Sequence, residues 1–406
     1  MRRSAERILT THTGSLPRPA DLDAMIADRE NGKNVDSAAF AKRVRVAVAD
    51  VVATQLAAGV AVVGDGEMGK SGYSTYVKDR LTGFGGTGRP LAITEMIKYP
   101  EVFEHNAGDE AVTRILNQPA CDGPVALREP EAVLRDIDNL KAAVKDAEPA
   151  DVFMSAASPG VIAAFLANDY YPTDEEYIYA LADAMKPEYD AIAAAGIVLQ
   201  VDCPDLAMTR AMLGNDELTD DEFRDQIRMH VRALNHALRD IPPEQMRMHV
   251  CWGNGEWPHV TDIPMASIVD IVLEARPAGL SFEAANPRHE HEWKVWKDVR
   301  LPDGKVLIPG VLDSTTNFVE HPELVAERIV RFADVVGREK VIAGSDCGFG
   351  TFAGFYSVKP RITWLKLAAL AEGAAIASDY LWKRSAPSSP VAATRGSGRR
   401  TARRSR

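Results

Sequence analysis

Short apolar runs alternate along this chain with longer stretches in which apolar side chains recur every three or four residues. The first pattern has the length of a buried strand, and the second is that of a helix with one buried face. Strands are predicted at 8–11, 61–65, 151–155, 197–202, 246–251, 279–283, 306–312 and 340–345. Helices are predicted over 37–58, 131–146, 173–195, 219–240, 263–275, 321–336 and 356–377. In the first of these, Val44, Val48, Val51 and Val52 fall at helical spacing. Strands alternating with helices mean a parallel sheet. Eight such strands in 406 residues predict an α/β fold of the (β/α)8, TIM-barrel class. The competing architecture is a doubly wound open sheet. Its nucleotide-binding forms lose support, because no Gly-x-Gly-x-x-Gly follows the first strand and no Gly-x-x-x-x-Gly-Lys-Ser/Thr occurs. Residues 70–130, too long for a standard βα loop, are expected to form an elaborated insertion after the second strand.

Composition changes this picture only at the C-terminus. Hydrophobic residues at 46% and charged residues at 26% are ordinary for a soluble domain. From Lys383 onward there are eight Lys or Arg and no acid, so the remainder holds 39 basic against 58 acidic residues. The acidic body argues against nucleic acid as a partner of the barrel. The Ser/Pro/Gly/Arg-rich end has almost nothing to bury and is expected to be disordered. The division is therefore a barrel over 1–380 and a basic tail over 381–406. No apolar run reaches membrane-spanning length and the first residues lack a signal-peptide core, so a cytoplasmic location without membrane partners is expected. In that setting Cys121, Cys203, Cys251 and Cys347 read as thiols, not disulfides. Composition leaves the oligomeric state open.

The candidate chemistry gathers at one end of the predicted strands. Ser15, Glu67, Asp202, His249, Cys251, Glu283, Asp313 and Cys347 all fall at or just past the carboxyl end of a strand. In a (β/α)8 barrel those ends converge on the face where active sites form. His249 and Cys251 are two apart on one strand and so point to the same side. Cys347 adds a second sulfur and Glu283 an oxygen. One imidazole, two thiolates and a carboxylate suit Zn²⁺, which can hold a substrate thiol as the nucleophilic thiolate. Taken singly, each of these residues has a duller reading, since cysteine is among the most often buried residue types. Cys203, near the same rim, and Cys121 read first as ordinary buried cysteines, with pocket lining the alternative for Cys203. His289-Glu290-His291-Glu292 reads as the solvated start of a helix. Trp252 and Trp257 are expected as pocket walls.

With these residues in view, the chain resembles a known family. Thr10-Thr11-His12-Thr13-Gly14-Ser15-Leu16-Pro17, Gly64-Asp65-Gly66-Glu67-Met68, Leu199-Gln200-Val201-Asp202, His249-Val250-Cys251, Ser281-Phe282-Glu283-Ala284 and Asp346-Cys347-Gly348 follow in this order. The ordered set resembles the catalytic barrel of cobalamin-independent methionine synthases and their single-barrel relatives, over about residues 8–375. The resemblance implies that His249, Cys251, Glu283 and Cys347 are zinc ligands. It also implies that Ser15, Glu67 and Asp202 hold the amino-acid part of homocysteine. The partners so implied are a small thiol and an alkyl donor, a methyl-folate or something simpler.

Two departures bear on the donor. The two-barrel synthases have an N-terminal barrel that helps handle the folate, and these 406 residues leave no room for it. The family's Asp-x-His after the seventh strand is here Asp313-Ser314-Thr315, and threonine cannot serve as the acid for a leaving group. His12, or Asp313 through a water, is the expected substitute. A family glutamate after the matched aspartate is here Cys203. The alternative functions are epoxide opening by a zinc-bound thiolate, as in epoxyalkane:coenzyme M transferases, with Arg18 and Lys70 as sulfonate partners, and a uroporphyrinogen-decarboxylase-like or non-catalytic barrel.

Overall fold

The structure is a computed structural model that describes residues 1–104 and 109–383. Eight parallel strands form its centre: β1 (Leu9–Thr10), β2 (Val62–Gly64), β3 (Asp151–Ala157), β4 (Val198–Asp202), β5 (Met246–Val250), β6 (Gly279–Phe282), β7 (Val306–Leu312) and β8 (Ile342–Ser345). Their order is β1-β8-β7-β6-β5-β4-β3-β2. The Ala61 N–H donates to Thr10 O at 3.1 Å and the Thr11 hydroxyl to Val62 O at 3.1 Å, which brings the two ends together as a barrel. Each strand leads to one principal helix: α1 (Ser37–Ala57), α2 (Glu131–Val144), α3 (Asp174–Ala194), α4 (Asp220–Ala237), α5 (Met265–Glu274), α6 (Val295–Asp298), α7 (Pro322–Val336) and α8 (Pro360–Lys383). The (β/α)8 expectation holds in every strand. The helix whose start was read at 289–292 is short: a 3-10 turn over Glu290–Lys294 leads into the single turn of α6. The expected basic tail lies, from residue 384, outside the described residues.

Local chemistry sets the helix starts. Asp36 accepts the Ala39 N–H ahead of α1, and Thr173 accepts that of Glu176 ahead of α3. Thr219 and Glu222 form a reciprocal capping box on α4. Each such cap contributes about 1 kcal/mol. Strand alternation then divides the core. Met246, Met248 and Val250 of β5 and Leu199 and Val201 of β4 pack outward against the helices, while Phe153, Val198, Val306, Ile308 and Ile342 fill the barrel interior near its base. Above that layer the Arg247 guanidinium stacks on the Phe153 ring at 3.5 Å and donates to Thr11 Oγ1 and His12 O.

The insertion after β2 is a roof. Its described residues form four short helices, Val77–Arg80, Thr94–Lys98, Pro100–Phe103 and Glu110–Leu116, and an antiparallel ribbon that pairs Phe84–Gly86 with Ala120–Cys121. It is tied to three of the βα loops. Ile93 bridges Met212 after β4, and Gly72 bridges Phe352 after β8. The fully buried Glu95 accepts backbone N–H bonds from His259, Val260 and Thr261 after β5.

Candidate metal centre and thiol pocket

The roof and the strand ends enclose a cavity of about 700 Å³. Its lining includes Thr13, Ser15, Glu67, Asp202, His249, Cys251 and Cys347, drawn from β1, β2, β4, β5 and β8 and the loops that follow them. Further residues of the lining come from the roof, among them Leu91, Ile93, Met96, Val112, Ile115 and Leu116.

At one side of this cavity, atoms of His249, Cys251 and Cys347 lie within 4.8 Å of one another. The two sulfurs are 3.1 Å apart, and Glu283 Oε1 is 3.3 Å from Cys347 Sγ. Three sequence-predicted ligands therefore converge, and the fourth, Glu283, touches them through Cys347. Side-chain alternation on β5 turns Arg247, His249 and Cys251 inward together, as the His-x-Cys spacing requires. His249 Nδ1 sits 3.2 Å from Ser281 Oγ. With Nδ1–H as donor there, Nε2 keeps its lone pair, and Nε2 is a buried atom without a partner. Burial, and then the Arg247 charge, lower the His249 pKa to about 3, so the imidazole is the neutral form a metal needs. Burial, and then the hydrogen bond with Cys251, push the Cys347 thiol well above its ordinary range. For Cys251 the hydrogen bond with Cys347 acts downward, but burial and the Glu283 charge raise it to about 11. Two thiols so disfavoured as anions need a cation to ionise.

These residues fit zinc. A tetrahedral site would hold its sulfurs roughly 3.8 Å apart, so seating an ion asks for a shift of well under 1 Å from the 3.1 Å observed. The ligand loops are braced for it. Glu283 accepts the Trp252 N–H and, on its other oxygen, Asn286 Nδ2, both at 2.7 Å. Asp346 accepts the backbone N–H groups of Ala284, Ala285 and Asn286, which fixes the turn after Glu283. Asn254 bonds Gly348 O, Thr351 Oγ1 and Ser314 Oγ, tying three loops together. The sequence reading named neither Asp346 nor Asn254 as functional. Asp346 lies beside a ligand in Asp346-Cys347-Gly348, and only that adjacency could have drawn attention to it.

A polar corner adjoins the sulfurs. Glu67 accepts from Ser155 Oγ at 2.7 Å, while its Oε2 is buried without a partner. Its backbone lies at φ 58°, a left-handed position rarely taken by a residue with a Cβ. Glu67 is held there by its N–H to Asp65 Oδ1 and by Arg18, which donates to its carbonyl. A Cβ on Gly14 would meet Glu67 Oε1 at 2.6 Å, and one on Gly348 would meet Ser15 Oγ at 2.0 Å, so both glycines make room for this corner. Asp202 accepts from Gln200 Nε2 at 2.7 Å. Burial, and then the negative charge of Glu67, push its carboxyl well above the usual carboxylate range. A cation set between Glu67 and Asp202 would relieve both.

Other expected residues are placed elsewhere. His12 is buried, bonding Gln55 Oε1 through Nε2 at 2.8 Å and accepting the Gly14 N–H on Nδ1, and it does not line the cavity. Asp313 is likewise engaged: its oxygens accept the backbone N–H and hydroxyl groups of Thr315 and Thr316. Cys203 faces the helices, because it is one residue past Asp202 and alternation turns it outward; it is a buried core cysteine and the pocket-lining alternative drops out. His289 and Glu292 are not solvated. They are buried and bonded to each other at 3.0 Å, and His289 Nε2 reaches Asp262 from the β5–α5 loop at 2.9 Å, a contact distant in sequence. Trp257 lines the cavity, whereas Trp252 stacks on His289 behind it.

Comparison with known proteins agrees with this architecture. Residues 160–359 match the model of the cobalamin-independent synthase catalytic domain. A methionine synthase of Thermococcus kodakarensis is 24% identical over 368 residues, covering 90% of this chain and 92% of the relative. That of Pyrococcus furiosus is 25% identical over 340 residues, covering 84% and 85%. Among solved structures, a B12-independent methionine synthase from Shewanella sp. W3-18-1 in complex with selenomethionine superposes with a TM-score of 0.70 at 19% identity, covering 93% of this chain and 99% of that one. A putative vitamin-B12 independent methionine synthase from Listeria monocytogenes gives 0.63 at 15% identity, covering 91% and 98%. Over residues 160–359 the chain thus resembles the catalytic domain of the cobalamin-independent synthases, and over nine-tenths of its length it is similar to single-chain methionine synthases.

Proposed function

We propose that this barrel transfers a methyl group to the sulfur of homocysteine, with Zn²⁺ held by His249, Cys251, Cys347 and Glu283. The observation that carries this reading is a pair of buried atoms without partners. His249 Nε2 and Glu67 Oε2 belong to residues of one cavity that both cysteines also line. The first atom suits a metal, the second a cationic donor such as an ammonium. The relatives named methionine synthase support the same assignment.

Zinc bound there would keep the substrate sulfur as thiolate near neutral pH. The remaining work falls to the chain's own side chains. Glu67 and Asp202 would accept from the substrate ammonium, with Ser155 and Gln200 holding their other oxygens in place. The Ser15 hydroxyl, beside Gly348, would meet the substrate carboxylate. Trp252 N–H and Asn286 steady Glu283, and the roof keeps water from the sulfur during transfer.

The coenzyme M alternative needs cations facing the cavity. Arg18 instead donates to Gly350 O and Glu67 O, Lys70 donates to Ser155 O, and neither lines the cavity. The test is an alkylation assay on zinc-loaded protein. Homocysteine and coenzyme M are each offered methyl-folate, S-methylated donors and short epoxides, with products read by mass spectrometry. Methionine formation is expected. Turnover confined to coenzyme M with an epoxide overturns the proposal.

A further inference from the structure

We infer that the methyl donor is an onium compound, a sulfonium or quaternary ammonium whose leaving group departs neutral. This rests on the reading of the site as a homocysteine methyltransferase and narrows its second substrate.

The first observation is the wall. The cavity that both sulfurs line is also lined by Tyr73, Phe103, Phe165, Trp257, Phe352 and Phe355. Three of these rings pack as one group, Tyr73 at 5.6 Å from Phe352 and 5.8 Å from Phe165, with Phe165 6.0 Å from Phe352. Phe103 and Trp257 form a second pair at 6.1 Å. Aromatic faces around a cavity attract a diffuse cation such as a methylated sulfur or nitrogen.

The second observation is charge. Among the described lining residues, Asp109 and Glu256 are acidic beyond the two carboxylates assigned to the ammonium, and Lys359, which is exposed, is the one Lys or Arg. That balance attracts a cationic donor and repels a polyanionic one, including a glutamate-tailed cofactor.

The third observation is the proton inventory. A methyl group leaving an amine or alkoxide needs an acid to protonate what it leaves behind. His12 and Asp313 lie outside the lining. Tyr356 donates its proton to Asp23, and Asp109 accepts the Ala111 and Val112 N–H groups as a helix cap. Asp202 is committed to the substrate ammonium, and an onium donor needs neither the remaining acid of the lining, Glu256, nor any of the others. The homocysteine thiolate forms a C–S bond to the methyl carbon. The bond from that carbon to the donor's S⁺ or N⁺ breaks, and its electron pair stays on the leaving atom, which becomes a neutral thioether or tertiary amine. Charge balances with no proton transferred.

The test uses the full chain. Zinc-loaded protein and homocysteine are given S-methylmethionine, glycine betaine or methyl-folate with one or three glutamates, and methionine is quantified. Turnover with an onium donor at least tenfold faster than with either folate is expected, with the sulfonium and ammonium arms showing which onium is used. Its kcat should be flat above neutral pH, since no acid is lost. A second readout needs no turnover. Choline should quench Trp257 fluorescence at concentrations at least tenfold lower than its neutral isostere 3,3-dimethylbutan-1-ol, and Phe352→Leu should shrink that ratio. Faster turnover with folate, no onium turnover, or equal binding of the two isosteres overturns the inference. Homocysteine binding is followed separately by proton release. If release occurs and onium donors fail, the donor assignment alone falls; if no proton is released, the methyltransferase reading falls with it.

Discussion

Replacing Glu67 by glutamine isolates the role of one oxygen. Glu67 Oε1 is already satisfied by the Ser155 hydroxyl, and the amide keeps an acceptor for that bond. Oε2, buried without a partner, is the atom assigned to the substrate ammonium. A hydrogen bond to a charged group is worth about 1.5–3 kcal/mol. Asp202 remains to share the ammonium, so the loss should sit near 2.5 kcal/mol, or on the order of 50-fold in Kd. The fold should not suffer, because the substitution removes the negative charge that, after burial, most disfavours the ionised Asp202. The assay is calorimetric titration of zinc-loaded protein with homocysteine and with 4-mercaptobutanoate, which carries the thiol and carboxylate but no ammonium. Glu67→Gln should weaken homocysteine about 50-fold while leaving 4-mercaptobutanoate within about twofold. Equal losses for both ligands would show that Glu67 shapes the pocket without reading the ammonium. An unchanged homocysteine affinity would remove it from the site.

Three further outcomes are expected. Glu95→Ala strips the acceptor from three backbone N–H groups of the loop at 259–261, so urea denaturation should show a loss of about 2–4 kcal/mol and proteolysis should newly cut that loop, with zinc content unchanged. The metal-free protein should lose stability as pH rises from about 4, because the Asp202 carboxyl binds its proton more tightly folded than unfolded. That contribution is fully present below the unfolded pKa and is lost as pH climbs through the folded one; Asp202→Asn should flatten the melting-temperature profile there, and parallel profiles would refute the assignment. Gly348→Ala places a methyl 2.0 Å from Ser15 Oγ, so homocysteine KM should rise about tenfold or more with kcat less affected; an unchanged KM would free Ser15 from its carboxylate role.

Much of this site was legible because strand geometry is periodic. Apolar runs located the strands, and the two-residue repeat on β5 placed His249 and Cys251 on one side of the barrel. Convergence of the strand ends then brought Cys347 and Glu283 to the same point, although they lie 64 residues apart. What stayed hidden depends on contacts without a local period. For Cys203 nearness to Asp202 left a pocket role open, and only the strand's alternation, which reverses the side chain in one step, closes it. His289 and Glu292 looked solvated because their partner Asp262 lies 27 residues from His289 in another loop. The roof was visible only as an insertion of unusual length. That it closes the cavity through Glu95, Ile93 and Gly72 follows from pairings no one-dimensional pattern records. Whether a donor needs an acid could not be read either, since His12 and Asp313 fall at strand ends like the true lining residues.

The central claim is the metal. Elemental analysis of protein equilibrated with Zn²⁺ and dialysed, compared between the wild type and Cys347→Ser, tests it most directly. The account expects one zinc per wild-type chain. It expects binding weakened by more than about a hundredfold in the variant, whose circular dichroism stays unchanged because rim residues add little to the barrel core. A variant that keeps the wild-type zinc content, or a wild type that holds none, would contradict it.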